Sequence, residues 1–281
     1  MKRPLVIALA LAISSSAFGW IDTGHMIVAA IAEGQLKPAV KAKVDALLKI
    51  GGDDRTRTFW TSACWADDTK NSENGPWHYI NIHFREDGKP ADNKPLDENV
   101  DWAIHKFSKI LADPKQPETD RADALRFLIH FVGDAHCPVH AVARDTEAFP
   151  RGDRGANDFK ILPPPGVQPE PRNLHFLWDI AGGLYSGTER PLTKEGTESI
   201  RRLAATIQSE FPRTSFAAEL KETAPEAWSQ ESYELARKVA YNLPEKTVPS
   251  PEYLRRCQEV SKKRIALAGY RLSDLLNRVL D

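Results

Sequence analysis

The stretch Leu128 to His140, LIHFVGDAHCPVH, restricts the fold more than any other part of the chain. It sets His130, Asp134, His136 and His140 at the spacing H-x3-D-x-H-x3-H in a run that is otherwise apolar. On a helix, His130 and Asp134 lie one turn apart on the same face. Leu125, Phe127, Leu128, Ile129, Phe131 and Val132 cover most of the other sides, so the pattern predicts a buried helix over 120–135. Pro138 ends or bends it. A helix of this kind needs other elements packed around it, and its imidazoles and carboxylate need partners, because unpaired polar groups in an apolar wall are costly. Zinc satisfies both donor types at once, accepting neutral His nitrogen and Asp oxygen in a roughly tetrahedral shell. The alternative is that these side chains bond to one another or to the backbone, which is the ordinary fate of a single buried His. Three His and one Asp within so short a stretch favour the metal.

The chain of 281 residues is long enough for one large domain or two small ones. Its first residues differ in character from the rest. Lys2 and Arg3 precede an apolar run from Leu5 to Ile13, followed by Ser14 to Ser16 and Ala17-Phe18-Gly19. This predicts a signal peptide over 1–19 and a mature domain over 20–281 that begins at Trp20. The apolar run is too short for a permanent span, no other segment qualifies, and no Cys follows the cleavage site to carry lipid. The expected product is secreted or periplasmic, with no membrane anchor after cleavage. In such an oxidising compartment the three cysteines, Cys64, Cys137 and Cys257, allow at most one internal disulfide. Cys64 and Cys137 either pair or merely pack, and the sequence leaves both open. Losing Lys2 and Arg3 leaves 36 basic against 39 acidic residues, a net −3. That excludes a global field that draws in nucleic acid, so an anionic substrate has to be held by local charge.

After Trp20-Ile-Asp-Thr-Gly-His25 the pattern predicts a helix started near Thr23 and a second over 38–50, stopped by Gly51-Gly52. The run Trp77 to Phe84, WHYINIHF, alternates as a short strand. Helical periodicity follows over 97–111, with His105 on the solvated face, and then comes the central helix. Residues 143–172, rich in Pro, Gly and charge, predict a long irregular loop of the kind that is functional or mobile. Asn173 caps a helix carrying His175 and Asp179. The last third is helical over 193–211, over 225–243 and from Ser250-Pro251 to the end, where Ser caps and Pro takes the first helical position. With no repeat and no linker, the fold class is mainly α, a single compact multi-helix domain with at most a short β element.

His130, Asp134 and His140 do not make a catalytic cluster alone. His175 and Asp179 repeat the i, i+4 geometry on a second helix, the arrangement by which two helices share one metal. His25 stands five residues after the predicted mature terminus, whose freed amine and carbonyl could chelate a metal together. The set Trp20 plus His25, Trp65-Ala66-Asp67, His78-Tyr79-Ile80, His130-x3-Asp134-x5-His140, Gly155-Ala156-Asn157, His175-x3-Asp179 and Trp228-x2-Glu231-Ser232 resembles the S-one/P-one nucleases. These are zinc-dependent, single-strand-preferring nucleases with 3′-nucleotidase activity, and they share a superfold with bacterial zinc phospholipases C. The resemblance runs from Trp20 to about Ser232. Nine ligand positions in the family's order carry it, although each motif alone would be weak.

The resemblance implies a fold of the phospholipase C/nuclease type and three Zn2+ per chain. Asp67, His78, His130 and Asp134 would hold one. The amine and carbonyl of Trp20, His25 and the other oxygen of Asp134 would hold the second, and His140, His175 and Asp179 the third. Six added positive charges against three aspartates would make the cleft electropositive on an acidic protein. A water shared between two zincs loses its proton near neutral pH, and the hydroxide would attack phosphorus in line. The third zinc would stabilise the leaving 3′ oxygen, so that products carry 5′ phosphates. Catalytic roles fall to Asp67 and to Lys70, which stands where the family has an Arg and keeps the charge without the bidentate fork. Tyr79 would stack on a base, which requires that the base be unpaired. Asn157 would hydrogen-bond that base, with Ala156 in place of a family Gly; a turn-forming Asn is the rival reading. His83 and His136 match no ligand position and are read as structural.

The implied substrates are single-stranded DNA and RNA and 3′-nucleotides, acted on by a monomer with no stable protein partner. Two alternatives remain. One is a zinc phospholipase C of the same superfold, against which Asp179 speaks because those enzymes resemble this pattern with Glu there. The other is a non-catalytic exported zinc-binding protein, whose sites would be closed by four protein ligands.

Overall fold

The computed structural model describes residues 20–281, so the predicted signal peptide and its cleavage site lie outside the described residues. The chain is mainly α, and its elements follow in this order: α1 (Asp22–Glu33), α2 (Pro38–Leu47), α3 (Phe59–Ser62), α4 (Trp65–Asp68), β1 (Ile82–Phe84), α5 (Val100–Ala112), α6 (Glu118–Asp134), β2 (Val142–Arg144), α7 (Leu174–Asp179), α8 (Lys194–Glu210), α9 (Pro225–Leu235) and α10 (Pro251–Val279).

Helix α6 is the expected buried helix. Every residue from Ala124 to Asp134 is buried, including Arg126, which donates to the carbonyls of Leu48 and Ile50 after α2. It packs along α5 and also touches α1, α2, α4 and α10. Side-chain caps set the starts of helices around it, those at Asn173 and Ser250 as the sequence predicted. The Asn99 side chain accepts from Asp101 N and Trp102 N at the start of α5, Asn173 accepts from Phe176 N at α7, and Ser250 accepts from Tyr253 N at α10. The fully buried Trp20, Trp178 and Trp228 contribute much of the apolar area around this framework.

Three expectations change. The strand expected over 77–84 is only β1. His78 instead closes a 3-10 turn, Gly75–His78, opened by Pro76. Pairing begins late because the partner, β2, is itself preceded by the 3-10 turn Pro138–His140, whose His140 Nδ1 takes up the His78 carbonyl. Second, β2 lies at the start of the segment expected to be irregular. It pairs parallel to β1 with Ile82 opposite Val142 and Phe84 opposite Arg144, a long-range contact that local composition cannot show. Residues 145–172 that follow hold no regular element among those described. Third, the helix expected over 225–243 stops at Leu235 and continues as one π-helical turn, Ala236–Ala240. The three cysteines are all buried and free, so Cys64 and Cys137 pack and do not pair.

Candidate metal centre

Four short structural decisions bring the donors together. Helix α6 ends at Asp134, and its C-terminal turn presents His130 and Asp134 inward. The chain then makes hydrogen-bonded turns, with Cys137 N donating to the Asp134 carbonyl and His140 N to the Cys137 carbonyl, which swing His140 back beside Asp134. Helix α1 comes close enough to lay His25 on α6 only because residue 133 is Gly: a Cβ there would stand 2.8 Å from His25 Nδ1. The same Gly133 leaves room for the Trp20 indole, which stands 3.9 Å from that Cβ position. Finally, Ile21 N donates to the Asp179 carbonyl, tying the start of the described chain to the end of α7.

Asp134 sits at the middle. Its Oδ2 lies 3.1 Å from His78 Nδ1 and 3.1 Å from His130 Nε2, while Oδ1 lies 3.4 Å from His25 Nε2 and 3.5 Å from His140 Nδ1. Asp67, on α4, stands 3.5 Å from His78 Nδ1 and 3.7 Å from His130 Nε2. Beyond His140, Asp179 reaches His140 Nε2 at 4.0 Å and His175 Nε2 at 3.5 Å. The eight side chains expected to hold metal are therefore in one cluster, with Asp134 shared between the sets that contain His25 and His78, and the Trp20 indole lies beside it at Gly133. The structure also groups donors within 4.8 Å of one another as His25 with His130 and Asp134, as Asp67 with His78 and His130, and as Cys137 with His140 and Asp179. Sequence reasoning missed Cys137. Its position inside the histidine stretch was the available signal.

The donor set suits a cation. His130 Nδ1 lies 2.6 Å from the Ala63 carbonyl, His140 Nδ1 2.8 Å from the His78 carbonyl, and His175 Nδ1 2.6 Å from the Gly155 carbonyl. Each carbonyl needs a donor, which leaves Nε2 as the lone-pair nitrogen and orients the ring as in known zinc sites. Among the described residues, both ring nitrogens of His25, Nε2 of His78 and Oδ1 of Asp67, Asp134 and Asp179 are buried without a hydrogen-bond partner. Orphaned polar atoms at this density are exceptional in a folded protein. Electrostatics agree. Burial pushes the Asp179 carboxyl well above the usual range, and Asp134 and Asp67 push it further. Burial lowers the His78 imidazole to about 4 and lowers His25, where His130 adds to the effect. Burial works against the charge on His130, yet Asp134 and Asp67 raise it to about 9. Carboxylates that compete for one imidazolium in a dry pocket would be relieved by divalent charge.

The other expected site residues line this cluster. Lys70, one turn beyond Asp67, places Nζ 3.7 Å from Asp67 Oδ1. Tyr79 and Asn157 share a cavity of about 170 Å³ with Asn81, Val139, Arg154, Gly155 and His175, so the cavity opens directly beside one donor. Asn81 and Arg154 were not anticipated, because neither carries a motif of its own. Gly155 has φ +63 and a Cβ there would meet the Val139 carbonyl at 2.5 Å, so the turn that supplies the His175 partner requires glycine. Ala156 keeps the left-handed conformation, φ 66, in the place where the family has a second Gly. Asp153 holds this turn by accepting from Ala156 N, Arg144 N and the Tyr241 hydroxyl. His83 pairs with Asp145 at 2.6 Å, and His136 faces away into an arginine network, so neither joins the cluster. The larger cleft of about 710 Å³, between α9 and α10, contains no member of the donor set.

A family model described as S1/P1 Nuclease matches residues 20–281. The chain belongs to the S1/P1 nuclease family. Nuclease S1 of Aspergillus oryzae is 27% identical over 99% of this chain and 98% of its own length. Endonuclease 4 of Arabidopsis thaliana is 28% identical over 94% of this chain and 90% of its own length. Nuclease P1 of Penicillium citrinum is 29% identical over 43% of this chain and 47% of its own. Membership of this family makes the chain a hydrolase of ester bonds.

Proposed function

We propose that the mature chain is an exported zinc-dependent phosphodiesterase that cleaves single-stranded DNA and RNA to 5′-phosphorylated products and also acts as a 3′-nucleotidase. The observation that carries the reading is the buried ring of orphaned carboxylate and imidazole atoms around Asp134. Three Zn2+ would be held by Asp67, His78, His130 and Asp134; by Trp20, His25 and Asp134; and by His140, His175 and Asp179. Bound there, zinc supplies a water that ionises near neutral pH and a Lewis acid for phosphoryl oxygens.

The chain's own residues do the rest. The carbonyls of Ala63, His78 and Gly155 fix the tautomers and ring planes of His130, His140 and His175. Asp67 holds its position by facing His78 and His130, and Lys70 beside it brings a positive charge to where negative charge grows on the phosphate. Tyr79 offers an aromatic face in the neighbouring cavity, and Asn157 lines the same space. Asn157 Nδ2 donates to the Arg154 carbonyl, so the residue also serves its turn while its Oδ1 remains for a base edge. A base can enter such a cavity only when it is unstacked and unpaired, which accounts for single-strand preference.

The purified mature protein should hydrolyse single-stranded DNA, RNA and a 3′-mononucleotide, with three zinc ions by metal analysis. Hydrolysis of phosphatidylcholine in their place would give the phospholipase reading, and bound zinc with no hydrolysis would give the storage reading. A residue added before Trp20 should remove one zinc and most activity. Full activity and metal content in that variant would exclude the terminal amine as a donor.

A further inference from the structure

We propose that Cys137 is a protein ligand of the third metal position, alongside His140 and Asp179. The inference rests on the metal reading above and adds a donor that the family resemblance does not supply. Cys137 Sγ, a ring nitrogen of His140 and a carboxylate oxygen of Asp179 all lie within 4.8 Å of one another, and all three residues are buried. Donors around a tetrahedral zinc lie about 3.3–3.8 Å apart, given Zn–N and Zn–S bonds of about 2.0 and 2.3 Å. Small side-chain rotations therefore bring this set onto one ion. A second observation points the same way: Asp179 Oδ1 is buried with no hydrogen-bond partner among the described residues.

The backbone makes the arrangement a local one. Cys137 N donates to the Asp134 carbonyl and His140 N to the Cys137 carbonyl, so the thiol and the imidazole sit three residues apart on one closed turn. His175 Nε2 stands 3.5 Å from Asp179 Oδ2, so the carboxylate also faces the imidazole on its own helix. On binding, the thiol gives its proton to solvent and the sulfur lone pair forms the bond to the ion. Sulfur in the set favours zinc over magnesium, calcium or manganese at this position. It also gives a buried free thiol a reason to persist in an oxidising compartment, since a metal-bound thiolate is shielded from disulfide exchange.

Cobalt(II) tests this, because a thiolate bound to it produces a charge-transfer band in the near ultraviolet. Metal-free mature protein is loaded with cobalt, the bound metal is counted and the spectrum is recorded. The wild-type protein should show the band, and Cys137→Ser should lose it while still binding cobalt around Asp134. If Cys137→Ser does not fold, the double variant Cys64→Ser/Cys257→Ser leaves Cys137 as the one thiol of the chain and should keep the full band. Cobalt bound at full count without the band, or a band lost in the double variant, overturns the assignment of Cys137 and leaves the metal reading intact. No cobalt bound at all overturns both.

Discussion

At its C-terminal end α6 sends His130 and Asp134 into one polar cluster, and two residues later His136 enters another. His130, Asp134 and His136 are all fully buried. In the second, His136 Nδ1 donates to the Val132 carbonyl and Nε2 accepts from Arg271, while Arg264 donates to the His136 carbonyl, Ser232 and Trp228. Glu231 closes the network by accepting from Arg264 at 2.7 Å and from both terminal nitrogens of Arg271 at 2.8 Å. In the first, an oxygen on each of three aspartates and nitrogens on two histidines find no partner among the described residues. Burial alone therefore does not separate function from packing here; pairing does. Among the described residues the His136 network leaves only Arg271 Nε without a partner, and it holds α6 to α9 and α10. The Asp134 cluster is incomplete and gains stability only from something added.

The largest effect expected from this contrast is on activity. Asp134→Asn removes the carboxylate shared by the two metal sets and should lower hydrolysis of single-stranded DNA by about 10³-fold or more, the equivalent of roughly 4 kcal/mol. Metal analysis should show at least one ion lost. Wild-type activity with full metal content would break the comparison, because the orphaned atoms would then have no ligand to explain them.

The opposite pattern should follow at the paired cluster. Glu231→Gln leaves Arg264 and Arg271 without their carboxylate and should destabilise the fold by about 2–3 kcal/mol, the lower part of the range because the Glu231 side chain is 29% exposed. Specific activity of the folded fraction should stay the same. Burial resists the charge on Glu231, but Arg271 and Arg264 bring its carboxyl below the ordinary 4.5. A depressed folded value stabilises above the unfolded pKa and is lost as pH falls through the folded one. The gap in unfolding free energy between wild type and Glu231→Gln should thus be full at pH 7 and begin to close below about 4.5. Chemical denaturation across that range measures it.

Gly133→Ala sharpens the boundary between the two clusters from inside α6. Its added Cβ would stand 2.8 Å from His25 Nδ1 and 3.1 Å from Cε1, on a helix whose backbone is held on all sides. His25 has to move, and displaced ligand geometry costs about 10–100-fold in metal affinity or activity. Competition with a chelator reads the affinity. An unchanged affinity would show that His25 adjusts freely and is not a positioned donor.

Much of this centre was legible because its residues announce themselves by type and spacing. The i, i+4 pairs His130/Asp134 and His175/Asp179 fix which donors share a helix face, and Asn173 and Ser250 mark helix starts by capping chemistry alone. What was not legible depends on contacts distant in the chain. The β1–β2 pair needs residues 82 and 142 together, and His78 leaves the strand because the His140 ring takes its carbonyl. Arg154 enters the cavity beside Tyr79 only through the fold of the 145–172 segment. Cys137 resembles an ordinary buried thiol until α7 brings Asp179 to it. The His136 network was equally hidden, since nothing about Arg264 or Arg271 in a long amphipathic helix says that both turn inward.

The smallest effect lies at the rim, where Tyr79 tests whether the cavity belongs to the binding side of the comparison or to the packed side. Its ring lines the cavity beside His175, and burial raises its phenol while Arg154 opposes the shift, so the side chain is half in the wall and half in reach of a ligand. If the ring stacks on a base, Tyr79→Ala should remove about 1–3 kcal/mol of binding, a rise in KM of roughly 5- to 150-fold for a 3′-mononucleotide, with kcat little changed. Tyr79→Phe should restore the wild-type KM because stacking needs the π face and not the hydroxyl. A packing role gives a different signature: Tyr79→Ala would lower thermal stability as Glu231→Gln does and leave KM alone. The two readouts move independently, so the pair of substitutions assigns the cavity whichever way it falls.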